Sequence, residues 1–229
     1  MSVAENLRRV REQIDTACRD AGRDPAGVSL LPVSKFHPID AIREAATLGY
    51  LRFGENRPQE LAAKAGELGE PFQFVAIGQV QSNKAGLIAQ HAAELQSLDS
   101  LRLAGALQRR LKALGRRLPV LVQVNTSGEE AKSGITPDDV VGFAEQLAAF
   151  DALEPRGLMT LAVNSPDADA VGACFAALAA ARDRLQNRFG GGWDELSMGM
   201  SGDFRLAVAH GSTCVRIGTA IFGPRPAQP

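Results

Sequence analysis

Cysteine, aromatic side chains and net charge are all scarce in this chain. Among 229 residues there are three cysteines, one tryptophan, one tyrosine and three histidines, and the formal net charge is −1. Cys18, Cys174 and Cys214 are far apart and odd in number, which excludes a disulfide framework and offers no metal spacing. Each reads as a small buried apolar side chain in a reducing compartment. A charge so near zero supplies no long-range field toward nucleic acid or a membrane surface. No stretch approaches the ~20 consecutive apolar residues of a membrane-spanning helix. The N-terminus has no basic segment leading into an apolar run, so it does not read as a secretory signal. The expectation is a cytoplasmic protein with no metal, no nucleic acid and no membrane among its partners.

What the chain does have is apolar content, 45% of its residues, arranged in a repeating order. That suffices for one sizeable core. Ser2 and Glu5 form a capping box, Val3, Leu7, Val10, Ile14 and Ala17 repeat at helical spacing, and Gly22 stops this leading helix, 2–22. Eight strand candidates follow, at 28–34, 50–53, 72–77, 94–98, 119–125, 156–161, 195–197 and 213–217. Most are apolar runs, as strands buried on both faces require. Between them lie helices with their own punctuation: Pro38 opens one, Thr136-Pro137-Asp138-Asp139 another, Ser165-Pro166-Asp167 repeats that pattern, and Gly211 closes the helix after the seventh strand. The repetition predicts a (β/α)8 barrel of the TIM type, 28–223, within a single domain spanning 1–229. An open doubly wound sheet is the competing architecture, and it lacks a recognisable switch point. Pro32 argues against the barrel, because every barrel strand is central and proline removes a ladder donor; a bulge or a late strand start would reconcile it. Gly190-Gly191-Gly192 reads as a flexible connection.

In such a barrel, ligand chemistry is built from the residues just after each strand. Two groups of these positions have a physical reading. Ser201-Gly202 and Gly218-Thr219 follow strands seven and eight and open helices, so backbone amides and two hydroxyls could cradle an anion, phosphate being the usual occupant of this corner. Ordinary βα turns, rich in glycine and serine, would look the same. Lys35, at the end of the first strand, could snorkel to solvent. It could equally be an amine in an apolar pocket, with a pKa low enough to attack an aldehyde. Facing a phosphate cradle across one mouth, the second reading gains force, because a phosphorylated aldehyde needs both.

These segments resemble the pyridoxal phosphate homeostasis proteins (the YggS/PROSC family). The matching stretches are Val33-Ser34-Lys35, Phe53-Gly54-Glu55-Asn56, Ile77-Gly78, Gln81-Ser82-Asn83-Lys84 and Ser97-Leu98-Asp99-Ser100. They continue through Gln123-Val124-Asn125, Lys132-Ser133-Gly134-Ile135, Arg156-Gly157-Leu158-Met159-Thr160, Leu196 to Asp203, and Val215 to Gly223, in order along nearly the whole chain. The resemblance implies an alanine racemase N-terminal domain-like barrel carrying pyridoxal 5'-phosphate (PLP) as a Schiff base on Lys35. It implies Ser201, Gly202, Gly218 and Thr219 on the phosphate, Arg216 against the pyridine nitrogen, and Asn56 near the ring hydroxyl or the Schiff-base side. Gln79 stands where the family usually has histidine, and Arg57-Pro58 replaces the usual aromatic after Asn56. Both departures are expected at the rim.

The same barrel serves amino-acid racemases, so catalysis needs its own test. A two-base racemase places a second group opposite the cofactor, commonly a tyrosine from another domain. The chain ends just past the barrel, its one tyrosine, Tyr50, falls at the start of strand two, and His37, His91 and His210 suit helix-end or surface roles. The expectation is therefore intracellular PLP homeostasis or carriage with no catalytic residue, the alternative being a PLP-dependent amino-acid racemase. Apo PLP-enzymes are the expected recipients and a monomer or weak dimer the expected state. Lys84 and Lys132 are candidates to accept the aldehyde during transfer. The basic stretch Arg109, Arg110, Lys112, Arg116 and Arg117 reads as a solvated helix face that also carries core leucines.

Overall fold

The computed structural model describes residues 2–129 and 132–224; the remaining positions of the expected 1–229 unit lie outside the described residues. The chain begins with helix α1 (Val3–Asp20). It then runs β1 (Ser29–Pro32), α2 (Ile39–Ala46), β2 (Arg52–Glu55), α3 (Pro58–Leu68), β3 (Gln73–Ala76), α4 (Ala85–His91), β4 (Glu94–Leu98) and α5 (Leu101–Ala113). The second half is β5 (Leu118–Gln123), α6 (Val140–Leu147), β6 (Leu153–Met159), α7 (Ala168–Phe189), β7 (Glu195–Ser197), α8 (Phe204–Ala209), β8 (Cys214–Ile217) and α9 (Thr219–Phe222). All pairings between the strands are parallel, in the order β1-β8-β7-β6-β5-β4-β3-β2. The molecule is a (β/α)8 barrel.

The capping box forms as expected: Ser2 Oγ accepts from the Glu5 amide, and the Glu5 carboxylate accepts from the Ser2 amide. Leu7, Val10, Ile14, Ala17 and Cys18 put one face of α1 into the core. The start of α7 differs from the expected one. Asp167 is the N-cap, accepting from the Asp169 amide, while Ser165 Oγ accepts from the Asp167 amide and closes the preceding turn. Thr136 likewise leads into a short 3-10 turn, Pro137–Asp139, and α6 begins only at Val140.

Pro32 lies beside the seam at which the barrel closes. In β1 the amides of Ser29 and Val33 donate to Thr213 and Ile217 beside β8, so odd-numbered amides face β8 and even-numbered ones face β2. The donor that Pro32 lacks would therefore point toward β2. Between β1 and β2 the wall is joined by one isolated bridge, Val33 to Gly54, with the Ser34 amide donating to the Gly54 carbonyl at 3.1 Å. Neither a bulge nor a late start is involved. Proline is tolerated because its missing bond falls at the seam.

Residues paired in a parallel ladder share a face. Leu31 pairs with Arg216, Val75 with Glu94, and Ser197 with Cys214, which places these side chains inside the barrel. The interior is thus divided. Leu31, Val75, Cys214 and Ile77 form a small apolar cluster, and a polar chain runs beside it. The larger core lies between strands and helices, with Phe53, Phe74 and Phe175 among its fully buried side chains.

Candidate functional site

A cavity of about 670 Å³ opens at the C-terminal ends of the strands. Lys35, Asn56, Ser201, Gly202, Arg216, Gly218 and Thr219 all line it, so the fold brings together the whole set of expected ligand-binding positions. Gln79 is in the lining too, whereas Arg57 lies outside it, exposed, with its guanidinium 5.2 Å from the centre of the Phe36 ring. Lys132 lines the cavity, donates to the Ala162 carbonyl at 3.0 Å and pairs with Glu129. Lys84 ends a 3-10 turn and is not part of the lining, so of the two transfer candidates only Lys132 faces the cavity.

Lys35 sits in a tight turn just past β1, closed by the His37 amide donating to the Ser34 carbonyl at 3.0 Å. The next residue, Phe36, has φ +69°, a left-handed conformation that strains a non-glycine residue. A buried polar cluster holds this turn. Lys64 of α3 donates to the Ser34 carbonyl at 2.7 Å, to Glu55 at 2.7 Å and to Glu60 at 2.8 Å. Ser34 Oγ donates to Glu55 at 2.6 Å, and the Phe36 amide donates to the same Glu60 oxygen that Lys64 reaches. Burial pushes the Glu55 carboxyl above its usual range, and the Lys64 ammonium pulls against that shift. Sequence reasoning placed Glu55 after β2 but had no signal for its partner nine residues on.

The two turns expected to cradle an anion differ in construction. After β7, Asp203 Oδ1 accepts from the Met200 amide at 2.6 Å, which folds the Met200–Asp203 loop back on itself. A Cβ at Gly202 would meet no heavy atom within 4 Å, so the cavity is open at that backbone. A Cβ at Gly218 would lie 3.2 Å from the Val33 carbonyl, so the chain after β8 passes close to the end of β1. Gly78 is under tighter constraint: a Cβ there would sit 2.3 Å from the Asn56 carbonyl oxygen, and only glycine lets the turns after β2 and β3 touch.

Arg216 is 3% exposed. Its Nη1 donates to Ser197 Oγ at 2.6 Å and its Nη2 to the Thr160 carbonyl at 2.8 Å. Both acceptors are neutral, and among the described residues Arg216 makes no ion pair. Burial draws its pKa down from the usual guanidinium value, with Cys214 and Asp203 acting the other way. A buried cation held without an anion leaves the cavity electropositive. An amine, open backbone turns suited to an anion, and a buried donor cation are the features an anionic aldehyde with a basic ring would require, so the residues present fit PLP.

The groups considered for a second base lie elsewhere. Tyr50 precedes β2 near Arg11 and Asp15, away from the cavity. His91 ends α4 and His210 caps α8. His37 keeps the helix-end place, next to the N-cap Pro38 of α2, but not a surface one: it is 9% exposed and stacks on Phe222 with ring centres 5.3 Å apart. Burial lowers its pKa. Among the described residues no cluster of His, Cys, Asp and Glu could hold a metal, and all three cysteines are buried and free. In the basic stretch, Arg116 donates to the carbonyls of Ala89, Gln90 and Ala92, Lys112 pairs with Asp151 and Arg117 with Glu154. No helix among the described residues is long and apolar enough to cross a membrane.

Comparison with known proteins agrees with this geometry. Residues 4–226 match the model of the alanine racemase N-terminal domain family. The pyridoxal phosphate homeostasis protein of Pseudomonas aeruginosa is 44% identical over 225 residues, covering 98% of this chain and 96% of that one. The protein of the same name from Escherichia coli K12 is 41% identical, with 97% of each chain covered. Among solved structures, PipY of Synechococcus elongatus with PLP bound superposes with a TM-score of 0.85 at 37% identity, covering 97% of this chain and 100% of that one.

Proposed function

Because the chain belongs to the pyridoxal phosphate homeostasis protein family, we propose that it carries PLP on Lys35 as an intracellular, cytoplasmic store, without dedicated turnover, the whole of 1–229 acting as one cofactor-holding domain. One observation carries this reading: Lys35, the turns at Ser201-Gly202 and Gly218-Thr219, and the buried guanidinium of Arg216 all line one cavity. Bound PLP would supply an electrophilic aldehyde. Lys35 would hold that aldehyde through its amine, as an imine formed with loss of water. The amides and hydroxyls of Ser201, Gly202, Gly218 and Thr219 would hold the phosphate, Arg216 would donate to the ring nitrogen, and Asn56 would flank the ring hydroxyl or the Schiff-base side.

Carriage rather than catalysis is supported by the absence of Tyr50 and of all three histidines from the cavity lining, and by the names of the relatives. Apo PLP-enzymes are the proposed recipients, with Lys132 a candidate to receive the aldehyde in passing, and the chain is proposed to act as a monomer or weak dimer. The test is borohydride reduction of the PLP-loaded protein followed by peptide mass analysis. Label is expected on Lys35 and is lost in Lys35→Ala; label on another residue overturns the assignment. In the PLP-loaded protein before reduction, loss of the α-deuteron from labelled alanine is expected at the rate given by free PLP. Faster, Lys35-dependent loss establishes a racemase instead.

A further inference from the structure

The polar chain inside the barrel has a direction forced by chemistry. Arg216 donates to Ser197 Oγ at 2.6 Å, the Ser197 hydroxyl donates to Gln96 Oε1 at 2.7 Å, and Gln96 Nε2 donates to Glu94 Oε1 at 2.7 Å. The other Glu94 oxygen accepts from Arg52. A guanidinium has only donors and an ionised carboxylate only acceptors, so with Arg216 at one end and Glu94 at the other every intervening group can point only one way. Ser197 and Gln96 are fully buried, and Glu94 is 5% exposed. The chain starts at the cavity and ends at the first residue of β4, crossing the interior from the ligand end to the opposite end. Barrel interiors of this class are filled mainly by branched apolar side chains, so a continuous polar column needs a reason.

We propose that Gln96 and Glu94 are positioning residues that orient Arg216 toward the cofactor's ring nitrogen, through Ser197, from the far side of the barrel. The inference rests on the reading of Arg216 given above. Among the described residues no carboxylate pairs with Arg216, and the anion in the column is Glu94, three hydrogen bonds away. Aligned bonds polarise one another in a low-dielectric interior, so that carboxylate biases each link toward accepting from the arginine. One edge of the guanidinium is thereby fixed by Ser197 and the Thr160 carbonyl, and Arg216 lines the cavity, where a ligand would meet its remaining donors. With the column broken, Ser197 is free to turn and Arg216 loses its fixed edge.

The experiment compares two ligands that differ at one atom: PLP and its analogue with a CH group in place of the ring nitrogen. Wild type is expected to favour PLP by about tenfold, the scale of one hydrogen bond involving a charged group. In Glu94→Gln, which keeps size and an acceptor but not the charge, and in Gln96→Leu, that preference is expected to fall toward about one. The absorption bands of bound PLP should shift in the same variants, while borohydride still labels Lys35. A preference retained in both variants, or affinity for the two ligands falling equally, overturns the relay. A wild type indifferent to the ring nitrogen overturns the role of Arg216 itself. Should Gln96→Leu fail to fold, Glu94→Gln decides alone, since its substitution is nearly isosteric.

Discussion

Glu60 accepts from both Lys64 and the Phe36 amide with a single carboxylate oxygen. That shared oxygen joins a helix of the outer layer to the residue following Lys35. The left-handed conformation of Phe36 is costly by itself, about 1–3 kcal/mol for such an outlier, and persists only where its surroundings enforce it. Glu60→Ala removes the acceptor of the Phe36 amide and one of the two carboxylates on a buried ammonium. Urea unfolding should show a loss of about 1–3 kcal/mol, and borohydride labelling of Lys35 should slow because the turn no longer has one conformation. Unchanged unfolding would mean that the turn is held by other contacts. The lysine was legible in the sequence because it ends an apolar run. Its support was not: Ser34, Glu55, Glu60 and Lys64 meet across two connections, and no local period announces that.

At the scale of elements, α1 acts on the site without touching it. Asn6 Nδ2 donates to the Ile221 carbonyl at 2.8 Å, anchoring α9, whose first residue is Thr219. Asn6→Ala should therefore weaken PLP affinity by about two- to tenfold, the range of one ordinary hydrogen bond, with little change in melting temperature; fluorescence titration reads the first and calorimetry the second. Strand positions were read within a few residues because buried parallel strands are short apolar runs between breakers. The edges moved where the breaker was misread: β2 begins at Arg52 rather than at 50, and β6 already at Leu153, because Pro155 and Arg156 are carried within the strand. Pro32 looked disruptive because a sequence does not tell which neighbour a given amide faces. Once the register is known, the donor lost at that position belongs to the seam.

For the molecule as a whole, that positions scattered between 35 and 219 would line one cavity was readable because barrel topology sends every strand's C-terminal end to one mouth. The polar column was not readable. Glu94, Gln96, Ser197 and Arg216 come from three strands, and alternation alone states which face a residue takes but not which residue lies opposite. Acid stability is a global property with an identifiable contributor. His37 has a folded-state pKa below its usual 6.5, burial being the main cause and Lys64 the next. The unfolded chain therefore takes up this proton first. The contribution of His37 is complete above 6.5 and is lost as pH falls below that value through the folded pKa. Glu55, shifted upward, acts in the opposite sense, destabilising the fold as pH rises past the usual glutamate range. His37→Phe keeps a ring against Phe222 and should flatten the fall in melting temperature between about pH 7 and pH 5. An unaltered acid slope would assign the loss to other groups.

The joint between β1 and β2 also sets the mechanics of the barrel. The strand order breaks at this joint, where one bridge takes the place of a ladder, and the joint is flanked by the two strands that lead to Lys35 and Asn56. Elsewhere the wall is joined by ladders that range from one paired position between β7 and β8 to six between β5 and β6. A widened rim is therefore expected to open at this seam, beside Lys35, before the longer ladders give way.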